Sequence, residues 1–370
     1  MNFELTEDQK MIRQTVADFV KKELPIERMR KMRDDETGFS KDVWKQMGDL
    51  GWLGISYPEA LGGFGGTFVD AALVLEELGK NLVHEPYLES AIVAGRVIRE
   101  LGNESQQAEY LAPMIAGDEV LALAFAEADS RFDVTASATT AEKSGDGYAL
   151  KGSKRWVLAG NAADHFVVTA KTPEGISAFV VDPGRDGVSV KEVKTMDGRR
   201  AAMVDLATTV GADRLLGEPG GAGAALVAAM DYGAAGACAE GYGLIKTSLD
   251  MTLEYLKTRE QFGVKIGSFQ VLQHRAVDMF VETELAKSVS IMAAIKVDSN
   301  DEDERKRSVS AAKAQLAMSG KLVSQQAVQL HGGIGVTEEH DISLYFKRMH
   351  VLNTLWGDEA FHIQRFASLT

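Results

Sequence analysis

The sequence predicts a mainly α protein with a β-domain at its centre, and three observations carry that prediction. Apolar residues recur at helical spacing through residues 1–120. Short β-rich runs broken by Gly, Asp and Pro fill residues 121–222, which predicts a small antiparallel barrel or sandwich. Long segments with few helix breakers fill residues 223–370. A chain of 370 residues also exceeds what one hydrophobic core usually supports, so two or three packed regions are expected.

The elements follow in order. Thr6 with Gln9 has the spacing of a capping box, and Met11, Ile12, Val16, Phe19 and Val20 then mark a helical stripe. Trp44, Met47 and Leu50 mark a second one. Residues 51–66 read GWLGISYPEALGGFGG, a glycine-punctuated loop, and Ala71–Leu82 and Ser90–Leu101 resume helical character. In the centre, Tyr148–Leu158, His165–Ala170 and Ile176–Pro183 read as strands. Gly217–Gly223 reads as a joint. Asp301–Arg307 reads as a solvated turn between helices, and Ala311–His331 as one long helix that Gly332-Gly333 ends.

Composition narrows the function. Asp and Glu total 54 against 40 Lys and Arg, a net charge of −14, which argues against non-specific binding to nucleic acid or anionic membranes. The single cysteine, Cys238, excludes an intrachain disulfide and a cysteine-based zinc site, and is expected to be a small buried apolar residue. No signal peptide or membrane-spanning stretch is visible, so a soluble cytoplasmic protein is expected, with no membrane insertion.

Two segments suggest a phosphate-bearing ligand. Gln329-Leu-His-Gly-Gly-Ile-Gly lets the backbone approach a phosphate closely, although spacing alone favours a plain helix C-cap and turn. Thr258-Arg-Glu-Gln-Phe-Gly adds an Arg that suits a phosphate and an aromatic that suits a base.

Residues 259–278, REQFGVKIGSFQVLQHRAVD, resemble the signature of the acyl-CoA dehydrogenase family. Pro58-Glu-Ala-Leu-Gly-Gly-Phe-Gly and Gln329-Leu-His-Gly-Gly-Ile-Gly match in the expected order, and the resemblance spans essentially the whole chain. It implies a helical N-terminal domain (1–120), a middle β-barrel domain (121–222) and a C-terminal four-helix bundle (223–370). It also implies FAD, an acyl-CoA substrate, and electron-transfer flavoprotein as acceptor. In the chemistry it implies, a carboxylate removes the α-proton, flavin N5 takes the β-hydrogen as hydride, and hydrogen bonds hold the thioester carbonyl.

The chain also departs from the family pattern. Where the family has Thr-Glu-Pro-x-Ala-Gly-Ser-Asp, residues 126–133 read Ala-Glu-Ala-Asp-Ser-Arg-Phe-Asp. Where it has Trp-Ile-Thr, with the Thr reaching the flavin edge, the chain has Trp156-Val-Leu158. Where it has the catalytic Glu-Gly-Thr, counting back from Ile363-Gln-Arg gives Asp358-Glu-Ala. The family elements that reach a neighbour's FAD are kept, and those that hold the subunit's own flavin are degraded. That pattern resembles the small subunit of two-component, heterotetrameric acyl-CoA dehydrogenases, such as the one acting on pimeloyl-CoA.

Arg259, Phe262, Gln270, Gln329, Gly332, Gly333 and Trp156 are therefore the expected FAD-binding residues. Asp358 is the preferred candidate base. Glu240, in the small-residue segment Ala237–Gly243, is the second, with a salt-bridged acid as its plain alternative. Arg199-Arg200 is expected in a solvated turn, and His331 beside the Gly-Gly turn. The main expectation is a heteromeric subunit sharing FAD with a larger partner. A homomeric enzyme using Asp358, and a non-catalytic subunit completing a partner's site, are the alternatives.

Overall fold

The computed structural model describes residues 4–369. Six helices open the chain: α1 (Glu7–Glu23), α2 (Ile26–Asp34), α3 (Lys41–Asp49), α4 (Phe68–Lys80), α5 (Gly95–Leu101) and α6 (Glu104–Ala116). Thr6 caps α1, accepting from the Gln9 N–H while the Gln9 side chain returns to the Thr6 N–H. The stretch Tyr87–Ala94, ahead of α5, is a wider π-helix.

Eight strands follow: β1 (Leu121–Ala124), β2 (Thr140–Ser144), β3 (Gly147–Leu158), β4 (His165–Thr172), β5 (Gly175–Val181), β6 (Val188–Lys194), β7 (Arg200–Gly211) and β8 (Leu215–Leu216). They form one sheet in the order β6-β7-β3-β2-β4-β5-β8, with β1 beside β4. The β-domain stands at the centre of the chain as expected, but its sheet is mixed rather than purely antiparallel, because β1 and β2 both pair β4 in parallel. Along β7 buried and exposed residues alternate from Leu206 to Val210, so one face feeds a core of Tyr148, Leu150, Phe166, Phe179 and Val204.

The chain then turns helical: α7 (Gly223–Thr258), a short hairpin of β9 (Glu260–Gln261) and β10 (Val264–Lys265), α8 (Gln270–Lys296), α9 (Glu302–His331), α10 (Ile342–Leu352) and α11 (Glu359–Ser368). The charged run Asp301–Arg307 is not a solvated turn. Asp301 caps α9, accepting from the Asp303 and Glu304 N–H groups, and the acids of the first turn lie at the positive helix end.

The residues gather into two compact units. One takes the chain up to Lys31, Phe68–Val83 and Ala234 onward. In it α4 and α7 approach so closely that a Cβ on Gly79 would lie 2.4 Å from the Glu240 carbonyl oxygen. The other takes Met32–Thr67 and His84–Gly233, and contains the sheet. Among the described residues, no helix is long and apolar enough to cross a membrane.

Candidate active site

In the first unit, the end of α7, the β9–β10 hairpin, the start of α8 and the end of α9 enclose a cleft of about 430 Å³. Arg259, Gln329, Gly332 and Gly333 line it together, although 70 residues separate Arg259 from Gln329. Gly332 has φ +65°, a conformation glycine adopts without strain. Nothing lies within 4 Å of where a Cβ on Gly332 or Gly333 would stand, so the turn offers bare backbone to open space. A guanidinium, a carboxamide and an open peptide turn are the donors a diphosphate needs, so this cleft fits the ADP half of FAD.

Phe262 and Gly263 are the two central residues of the hairpin, and both have positive φ (56° and 78°). That is the signature of a type I′ turn, where Asn or Gly is usual and an aromatic is strained. The Phe262 ring is 90% exposed, with only an edge contact to Phe269 at 6.1 Å. An exposed aromatic held at a backbone cost suits contact with a planar ligand. Gln270, also exposed, begins α8. His331 packs beside the turn as expected, stacked on Tyr255 at 4.4 Å. Its Nδ1 lies 2.7 Å from the Ala327 carbonyl, which only accepts, so Nδ1 carries the proton. Burial lowers its pKa and keeps the ring neutral.

In the second unit, the β3–β7 register breaks between Lys154 and Val157. Trp156 sits in that bulge with φ +51° and 53% exposure, so it is not packed in the core. Two residues before it, Lys154 belongs to a pair the sequence reading passed over. Lys154, fully buried, bonds Glu127 at 2.6 Å and the Thr169 hydroxyl at 2.9 Å. Glu127 also accepts from the Ala138 N–H and the Thr139 hydroxyl. Burial alone would raise the Glu127 carboxyl, but these donors overcome it and hold it well below the ordinary carboxylate range. The Arg155 N–H bonds the Ala126 carbonyl at 2.7 Å, so the stretch after Ala126 is pinned to the bulge that carries Trp156. Glu127 lay inside the departing motif, and its spacing from Lys154 gave no signal of pairing.

The candidate acids divide. Glu240 is buried on α7 and grips Arg348 of α10 with both oxygens, at 2.8 and 2.7 Å. As a candidate base it is corrected to a structural ion pair, because protonation would break a two-pronged contact between buried charges. Asp358 is half-buried and caps α11, accepting from the Phe361 N–H at 2.8 Å. Arg199-Arg200 is also corrected. Arg200 is buried, donates to the Asp35 carbonyl and pairs by charge with Glu192 at 2.9 Å, and Arg199 lies 3.7 Å from the buried Glu89. Cys238 is fully buried, as expected, and burial pushes its thiol up to about 12.

The chain matches three family models in succession: acyl-CoA dehydrogenase, N-terminal domain (residues 6–118), middle domain (122–208) and C-terminal domain (220–368). It is 31% identical to a probable acyl-CoA dehydrogenase, YngJ, of Bacillus subtilis, over 99% of this chain and 98% of that one. It is similar to the structure of butyryl-CoA dehydrogenase from Megasphaera elsdenii (26% identity, TM-score 0.91, covering 100% and 99%). It is also similar to the ChsE4-ChsE5 complex from Mycobacterium tuberculosis (28% identity, TM-score 0.90, covering 100% and 98%).

Proposed function

The chain belongs to the acyl-CoA dehydrogenase family, whose members are FAD-dependent flavoproteins, and from that premise we propose that it works as one subunit of a heteromeric enzyme. The enzyme would share FAD across the interface with a larger acyl-CoA dehydrogenase subunit. The observation that carries the reading is a contrast. The cleft of Arg259, Gln329, Gly332 and Gly333 is complete and open, whereas two hydroxyls expected beside the flavin are replaced by Ala126 and Leu158. The likeness to the ChsE4-ChsE5 complex supports an assembly of unlike chains.

A second observation supports a partner. Helix α8 buries Ala276, Met279, Thr283, Ala286 and Ala293 on one face. Its opposite face carries Val277, Phe280, Val281 and Leu285, each between 44% and 58% exposed. A helix apolar on both faces normally has protein on both.

FAD supplies the acceptor for the β-hydrogen, which leaves the substrate as hydride. The residues of this chain then have definite tasks. Arg259, Gln329 and the Gly332-Gly333 backbone hold the diphosphate. Phe262 and Gln270 would contact the rest of that cofactor, and in the second unit Trp156 is the residue proposed to meet a flavin. Asp358 takes the α-proton of the thioester, so loss of a proton and a hydride leaves the α,β double bond. Electron-transfer flavoprotein is the expected acceptor.

The test is the visible spectrum of the chain expressed alone, with FAD counted per protomer. A colourless folded chain that turns yellow with a larger partner is the expected result. A stoichiometric flavin peak in the lone chain would instead make it homomeric.

A further inference from the structure

Lys313 sits in the middle of α9 and is completely buried. Among the described residues, no carboxylate lies within ion-pair distance of it. Its ammonium instead bonds two backbone carbonyls, Asn353 at 3.2 Å and Gly357 at 3.0 Å. These carbonyls bracket the turn that joins α10 to α11. The Gly357 carbonyl belongs to the peptide bond whose nitrogen is that of Asp358. The turn is also strained: Trp356 has φ +59° and Gly357 has φ +108°.

A second buried group holds the same turn. His362 Nε2 lies 2.9 Å from the Trp356 carbonyl and so donates to it, while Nδ1 lies 3.2 Å from the Ser310 hydroxyl. Burial, reinforced by the Lys313 charge, pushes this imidazole down to about 3, so it stays neutral. A buried cation that spends its donors on carbonyls, with no counter-ion in contact, is costly and calls for a purpose.

We infer that Lys313 is a positioning residue: its ammonium, clamped on the Asn353 and Gly357 carbonyls, sets the turn that presents the Asp358 carboxylate to a substrate α-proton. The inference rests on Asp358 being the base. The clamp is also expected to depend on pH. Burial pushes the Lys313 ammonium down to about 8, against smaller opposing effects of Cys238 and Asp358. The titratable groups facing it are Cys238 on α7, with Asp358 and His362 on the α11 side. Cys238 and His362 titrate far from neutrality, which leaves Lys313 to change charge near pH 8.

The test compares wild type, Lys313→Met, Lys313→Gln and Asp358→Asn in the FAD-loaded assembly, with butyryl-CoA as probe. Flavin bleaching without oxygen is followed against pH, and the wild-type and Lys313→Met chains are crystallised. A turn displaced by about 1 Å should slow bleaching at saturating probe roughly 100-fold in Lys313→Met, with the half-saturating concentration and FAD content unchanged. The falling limb near pH 8 should vanish in that variant. Lys313→Gln, which keeps one donor at nearly the same volume, should fall between, and it carries the test if Lys313→Met does not fold. Unchanged bleaching in Lys313→Met beside a dead Asp358→Asn overturns the inference and leaves Asp358 as base. Unchanged bleaching in Asp358→Asn overturns the base itself. The crystal comparison needs no substrate: a turn from Asn353 to Gly357 that keeps its backbone without the ammonium overturns the clamp.

Discussion

The cleft at the end of α9 and the bulge in β3 use their polar residues in opposite ways. In the cleft, Arg259 and Gln329 are exposed and the Gly332-Gly333 backbone is open, so binding capacity is held ready. Around the bulge, Lys154, Glu127, Thr139 and Thr169 bond one another and leave only the Trp156 ring outward. Polar groups that satisfy each other support a surface, whereas polar groups left open define a ligand. Charge content alone would not separate the two regions.

Four measurements break or sharpen that contrast. Glu240→Ala, which belongs with the self-satisfied groups, should cost about 3–5 kcal/mol by removing one partner of a buried pair. The thermal midpoint reports it, and Glu240→Leu with Arg348→Met should recover most of the loss. A variant that keeps its midpoint but loses turnover would return Glu240 to the chemistry. Arg259→Ala should weaken FAD binding by about 10- to 100-fold, the worth of a charge-assisted hydrogen bond, without moving the midpoint. Flavin fluorescence titration of the assembly decides it, and unchanged affinity would mean the cleft does not hold the diphosphate.

The third measurement is acid stability. Glu127 has a folded pKa below its ordinary value of 4.5, so its contribution is present above that pH and drains away as pH falls beneath it. Wild type should lose stability below about pH 4.5 more steeply than Glu127→Gln, since only the carboxylate takes up a proton there. Equal slopes in acid denaturation would mean the pair is not coupled to folding. The smallest effect is expected from Leu158→Thr. Restoring one hydroxyl should tighten the flavin by about 1 kcal/mol, near fivefold. No gain in FAD retention would show that position 158 lies away from the ring.

Much of the helical framework was legible because helical periodicity is local: the Thr6-Gln9 box and the long run to His331 both stand in the structure. The sheet was less so. Its strands show as apolar runs, but the parallel pairing of β1 and β2 with β4 joins residues far apart in the chain. In the site, the glycine turn and the Arg259-Glu-Gln-Phe-Gly segment were legible through the family resemblance, since their spacing alone reads as a helix end and a turn. Glu240 was visible only as an oddity among small residues, since its partner Arg348 lies 108 residues away. Lys313 left no trace, because a lysine in a helix reads as solvent-facing until burial is known.

The outward stripe of Val277, Phe280, Val281 and Leu285 also bears on how the chain is handled. In the proposed heteromer, covering it would link folding to mass action, so the melting temperature of that assembly should climb with protein concentration. Dilution then becomes a mild denaturant, and co-expression a folding aid. Under that proposal, a chain made in excess of the partner would present this stripe to every other hydrophobic surface in the cell.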